Sequence, residues 1–264
     1  LKFISIMSST RLLKNARLIN KPTSENDQYT FSSSYCLSIY PINAAYTFIP
    51  KNACSSLRFS VAVANGFLAD LSDIEWIHWN NQTFIASQRE VCLASYTFVI
   101  LRCPFTRVAS SFLDLIVEAS FDFKDSAGNK LSINFNDFLS IIKSQQRTQR
   151  DQHWRNQSDF LHYEKYDDYF SLESFSKAID KLNSKEFKVY DTRSALKHNL
   201  SGFERVDGDF SKTKEVDLKK MKQDGFAPNY ESMFSNQEIE LVKEIYKDDI
   251  ELYKSHFGSK DLLF

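Results

Sequence analysis

The chain has 264 residues, 42% of them hydrophobic, with 33 Lys or Arg against 34 Asp or Glu. That length and apolar share can fill one sizeable core, and the near-zero net charge excludes the long basic field with which a protein grips nucleic acid along its length. Six glycines against 23 phenylalanines exclude a low-complexity chain, and no run of about 18 apolar residues encodes a membrane span.

Residues 1–34 open with "LKFISIM", too short for a signal-peptide core, and the first 30 residues carry five basic and two acidic side chains. They read as a solvated N-terminal arm ahead of a single domain over 35–264. "AAYTFIP" and "ASYTFVILRCP" are two short aromatic and β-branched runs, each suited to a buried parallel strand. An amphipathic stretch follows each: Leu57, Val61, Val63 and Phe67 after the first, Val108, Phe112, Leu115 and Ile116 after the second. Repeated strand-helix order predicts an α/β fold of three layers, with a mainly parallel central sheet flanked by helices.

Between the two runs, "DIEWIHWNNQTF" reads as loop or short helix. Further on, Ile133, Phe135, Phe138, Leu139 and Ile142 fall on a helical period with Asn134 or Asn136 as cap. "DDYFSLESF" and "EFKVYD" predict two more strands, and the charged residues 204–225 an exposed excursion. Ser235 and Glu238 have capping-box spacing ahead of Ile239, Val242, Ile245, Tyr246 and Tyr253, which predicts one long C-terminal helix. The scattered Cys36, Cys54, Cys92 and Cys103 fit neither a disulfide framework nor a zinc site and point to a reducing compartment.

Chemistry concentrates after the two strands. In "IPKNACSSL", Pro50 ends a strand, Lys51 supplies a mobile charge, and Asn52, Ala53, Cys54, Ser55 and Ser56 let an anion approach a helix N-terminus closely. The Walker pattern is absent, with no glycine between Leu1 and Lys51, so triphosphate chemistry coupled to Mg²⁺ is not the first expectation. In "LRCPFTRVASSF", Arg102 leaves the strand, Pro104 suits a first helical turn, and Arg107, Ser110 and Asp114 share one stripe. Arg102 and Ser110 can meet one phosphate; Arg107 either meets ligand or pairs with Asp114. Two phosphate sites at successive strand ends imply a ligand with two separated anionic groups.

Together the two segments resemble the 5′-phosphosulfate and 3′-phosphate motifs of sulfotransferase family 2, the Golgi-type carbohydrate sulfotransferases. "DQHWRNQ", "YDDYFSLESF" with Glu173, "KHNLS" with His198, Asn199 and Ser201, and the closing "YESMFSNQEIELVKEIYKDDIELY" extend the resemblance over roughly residues 42–254. Cys103 and Asn156 depart from it, where Asp or His and Pro are usual. The resemblance implies a P-loop-like fold and 3′-phosphoadenosine 5′-phosphosulfate (PAPS) as donor, leaving PAP as product. It implies Lys51, Ser55, Ser56 and the amides from Asn52 onward around the 5′ group, Arg102 and Ser110 around the 3′-phosphate, and a carbohydrate hydroxyl as acceptor. Soluble bacterial relatives act in the cytoplasm, the compartment expected here; animal relatives act in the Golgi lumen on an N-terminal anchor, the alternative if an anchor precedes Leu1.

Sulfuryl transfer needs a charge on the leaving oxygen and a base for the acceptor proton. Lys51 fits the first need. His78 and His153 are the candidates for the second, while His162 and His256 have no case beyond exposure, and no His, Cys or carboxylate cluster looks like a metal site. A nucleotide-dependent kinase and a non-catalytic nucleotide- or glycan-binding protein are the competing readings.

Overall fold

The computed structural model describes residues 11–17, 22–118, 121–124, 126–192 and 202–264. Alternation along the predicted strands builds its three layers. In β2 (Ala44–Thr47) and β3 (Tyr96–Leu101), Ala44, Tyr46, Tyr96, Phe98 and Ile100 point to one face, and Ala45, Val99 and Leu101 to the other. Every residue of both strands is buried, which is why the sequence shows continuous apolar runs there.

The sheet order is β1 (Cys36–Ile39), β2, β3, β4 (Asp168–Ser171). β1 is antiparallel to β2, and β2, β3 and β4 are mutually parallel, with Tyr46 stacked on Phe98 at 4.9 Å. Among the helices, α1 is Asp27–Ser33, α2 Cys54–Ala64, α3 Trp76–Trp79, α4 Gln88–Leu93, α5 Pro104–Ser111, α6 Phe135–Ser144, α7 Gln157–Phe160 and α8 Phe175–Asn183. One face of the sheet packs on Leu57, Val61 and Ala62 of α2 and Ala178 and Leu182 of α8. The other packs on Val108 and Phe112, on Phe135, Phe138 and Ile142 of α6, and on Trp154. α6 starts on Asn134, one of the two caps its sequence offers, and the structure adds a capping box with Asp137.

Several expectations change. "EFKVYD" is not a strand: Val189 donates its amide to Asn183 at the end of α8 and Tyr190 its amide to Ser60 of α2, so this segment is held by side-chain acceptors from both helices. Residues 204–225 are no simple exposed excursion. They hold β5 (Glu204–Val206) and α9 (Glu215–Gln223), and β5 pairs in parallel with β6 (Phe226–Pro228). Leu218, Glu215 and Lys222 of α9 are buried against the body, with Glu215 accepting the Ile133 amide at 2.8 Å. The C-terminal helix begins on the predicted Ser235–Glu238 capping box, but it breaks into α10 (Asn236–Ile245) and α11 (Lys247–Phe257). At the break, Tyr246 is buried and donates its hydroxyl to the Trp154 carbonyl at 2.6 Å.

Part of the segment read as a solvated arm lies on the body. Arg11 donates to the Ala94 carbonyl and to Asp167, Leu13 bridges Tyr163, and α1 packs on α7. His162, expected to be exposed, is 1% exposed; its Nδ1 pairs with Ser32 and burial pulls its pKa down to about 4.

Candidate active site

The loop from β2 to α2 takes a conformation that ordinarily calls for glycine. Lys51 and Ala53 have φ of 73° and 55°, left-handed values that cost a residue with a Cβ roughly 1 to 2 kcal/mol each. The strain is held by what surrounds it. Asn52, wholly buried, donates its amide N–H to Ile49, and its side-chain nitrogen to the Ile100 carbonyl at 2.9 Å and to Gln157 Oε1 at 2.6 Å. Asn52 therefore anchors the loop to β3 from below.

α2 then starts with no side-chain cap, its N-cap being Ala53. The first intrahelical bond is Leu57 N–H to Ala53, so the amides of Cys54, Ser55 and Ser56 precede it at the positive end of the helix. Cys54 and Ser55 are half-buried; Ser56 is buried, accepting the Thr192 amide and pairing with the Thr192 hydroxyl at 2.9 Å.

One strand over, Arg102 leaves β3. Its NH1 donates to the Lys51 carbonyl at 2.9 Å, its Nε to Thr106 Oγ1 at 3.1 Å, and its guanidinium lies 5.4 Å from the centre of the Tyr230 ring. The two predicted anion-binding segments thus form one cleft, at the carboxyl ends of adjacent parallel strands. Ser110, on α5, faces the same cleft beside the Tyr230 hydroxyl. Burial opposes ionisation of Tyr230, but Arg102, Ser110 and Lys51 outweigh it and hold the phenol below its usual pKa. Arg205, from β5, lies 5.0 Å from the same ring. Lys51 itself pairs with Asp114.

Arg107 takes neither of its expected roles. It is 2% exposed and donates to the carbonyls of Pro50, Arg155 and Gln152, clamping the loop before Lys51 to residues 152–155. Glu173 caps the opening of α5, accepting the Cys103 amide and the Thr106 hydroxyl, while its other oxygen takes Tyr253 and Ser171.

The Sulfotransferase family model matches residues 42–256, a span that contains the whole cleft and the three parallel strands β2, β3 and β4 beneath it, but not β1. The chain belongs to this family. No curated protein matches it, and neither does any solved structure. Membership makes the chain a transferase of the sulfuryl group, and its mainly parallel sheet between helical layers is consistent with the P-loop-like fold of sulfotransferases.

In this sulfotransferase the two candidate bases sit differently. His153 Nδ1 pairs with Asp151 at 2.7 Å, and the Asp151 carboxylate also accepts the His153 amide. Burial would raise the Asp151 pKa, but those two bonds and the nearby Arg107 bring it below its usual value. The His153 carbonyl accepts the Ser111 hydroxyl, three residues before Asp114, so the loop is fastened to the helix that lines the cleft. His78 lies exposed on α3, which is tied to α2 through the Ile77 carbonyl and Arg58. His198, Asn199 and Ser201 fall outside the described residues.

Three residues of the cleft went unassigned by sequence reasoning. Gln157 bonds the Arg102 amide at 2.9 Å, the Arg102 carbonyl at 2.8 Å and Asn52, locking both strand-end loops together. It is the glutamine that ends "DQHWRNQ", so the motif held the signal. Tyr230 opens the closing segment, and Arg205 lay in a stretch whose charge hid its direction.

Proposed function

We propose that this sulfotransferase moves the sulfuryl group of PAPS to a hydroxyl of a carbohydrate. The observation that carries the reading is the joining of two anion sites in one cleft: the uncapped start of α2 beside Lys51, and Arg102 with Ser110, bridged by the Arg102 bond to the Lys51 carbonyl. Those residues fit a nucleotide with phosphate groups at two ends. Bound there, the donor supplies an activated sulfuryl group on a stabilised phosphate leaving group.

The amides of Cys54, Ser55 and Ser56 hold the 5′ end, and Lys51 meets the charge that develops on the bridging oxygen. Arg102 and Ser110 hold the 3′-phosphate as planar donor and hydroxyl. His153 is the base with the better support: Asp151 fixes its Nδ1, which leaves Nε2 for the acceptor proton, as carboxylates orient catalytic imidazoles elsewhere. The carbohydrate class rests on the resemblance of the two motifs, and Trp79, 87% exposed on α3 beside His78, offers a flat apolar face of the kind on which sugar rings stack.

The test is transfer of labelled sulfate from PAPS across a panel of neutral and acidic glycans, run for the wild type, Lys51→Ala, His153→Ala and His78→Ala. Label on a glycan that disappears with Lys51→Ala and His153→Ala, but survives His78→Ala, is the expected result. PAP binding without labelling of any hydroxyl would favour a nucleotide-binding protein instead.

A further inference from the structure

Asp114 has no part in the roles assigned so far, yet three observations converge on it. It sits in a π-helical turn, Phe112–Ile116, in which the Val117 amide bonds Phe112 across five residues at 3.1 Å. Such turns are less stable than the α-helix they interrupt and concentrate at functional sites. Its Oδ2 holds the Lys51 ammonium, and its Oδ1 is buried with no hydrogen-bond partner. The turn is also braced from behind, since Lys222 of α9 is buried, pairs with Glu118 and reaches the Leu113 carbonyl at 3.4 Å.

Lys51 and Asp114 side chains are 13% and 16% exposed, so the pair is largely shielded from water and is screened by salt less than an exposed pair. An ammonium placed to neutralise a leaving phosphate is thereby already neutralised before any nucleotide arrives. A nucleotide anion must share Lys51 with a fixed carboxylate, and it must lie near that carboxylate's negative charge. Oδ1 is closed to solvent, which rules it out as the acceptor of a proton from an incoming hydroxyl.

We infer that Asp114 is a built-in counter-ion for Lys51: it positions the ammonium at the loop and competes with the bound nucleotide for it, so that spent product leaves. This inference rests on the donor reading above, and it adds that affinity for the nucleotide is held down by a residue whose carboxylate, among the described residues, pairs with Lys51 alone.

The experiment is PAP titration by calorimetry, with steady-state kinetics, on the wild type, Asp114→Asn and Asp114→Glu. Asp114→Asn removes the charge at constant shape and is expected to bind PAP about 5- to 30-fold more tightly, to be inhibited by PAP at correspondingly lower concentration, and to turn over more slowly. Asp114→Glu keeps the charge and is expected to stay within about twofold of the wild-type Kd. A merely structural aspartate would lower activity in both without tightening PAP. Asp114→Ser, also neutral, replaces Asp114→Asn if the latter does not fold. Unchanged or weaker PAP binding in the neutral variant overturns the inference and leaves the donor reading standing; no PAP binding by the folded wild type overturns both.

Discussion

The two helices that open at the cleft begin in opposite ways. α2 starts on Ala53, with no side chain capping it, after a loop in which Lys51 and Ala53 hold left-handed backbone. α5 has no capping side chain on its first-turn amides either, but it starts behind an anion that the protein supplies itself: Glu173 takes the amide of Cys103, its N-cap residue, at 3.0 Å and the Thr106 hydroxyl at 3.1 Å. An open helix N-terminus attracts a negative group, and a filled one does not. Under the proposed donor reading, α2 would offer its backbone to the ligand, whereas α5 would be a fixed platform that offers side chains, Arg102 just before it and Ser110 along it.

Lys51→Ala is the hardest blow to the open end. It should lower kcat for sulfate transfer about 10³-fold, roughly 4 kcal/mol, while weakening PAP binding far less. Equal losses in both, read by single-turnover kinetics beside calorimetry, would reduce Lys51 to a docking charge. On the platform side, Arg102→Ala should weaken PAP by about 2 to 3 kcal/mol, on the order of 100-fold, and leave the affinity for a nucleotide lacking the 3′-phosphate nearly unchanged. A loss common to both nucleotides would mean that Arg102 acts chiefly through its bond to the Lys51 carbonyl.

Glu173→Ala sharpens the comparison further, because it opens the second helix start. The Cys103 amide, Thr106, Ser171 and Tyr253 would all lose an acceptor, so thermal unfolding should show a loss of about 2 kcal/mol. Added sulfate should recover part of that loss by occupying the vacated position. Ser55→Ala is the mildest change, costing about 1 kcal/mol in PAP affinity if its hydroxyl adds to the backbone donors. No change there would leave the open end to backbone amides alone.

Legibility in the sequence followed the range of the forces involved. β2, β3, the Asn134 cap and the Ser235–Glu238 box are set by neighbours a few residues away, and each was readable. The helix break at Tyr246 was not, because Tyr246 suits the apolar stripe of a continuous helix as well as its actual place under the Trp154 carbonyl, 92 residues distant. Arg107 looked like a ligand contact or an ion-pair partner, since spacing shows which residues share a stripe and says nothing of carbonyls 45 to 57 residues away. The same distance hid Arg205 and Tyr230, and left Arg107 as the one partner considered for Asp114, which pairs with Lys51.

A crystal structure with PAP bound tests the division between open and filled helix starts most directly. The 5′-phosphate should lie within hydrogen-bonding distance of the Cys54, Ser55 and Ser56 amides with Lys51 alongside, and the 3′-phosphate against Arg102 and Ser110. A nucleotide whose phosphates avoid the start of α2, or displace Glu173 to sit on α5, would contradict the account.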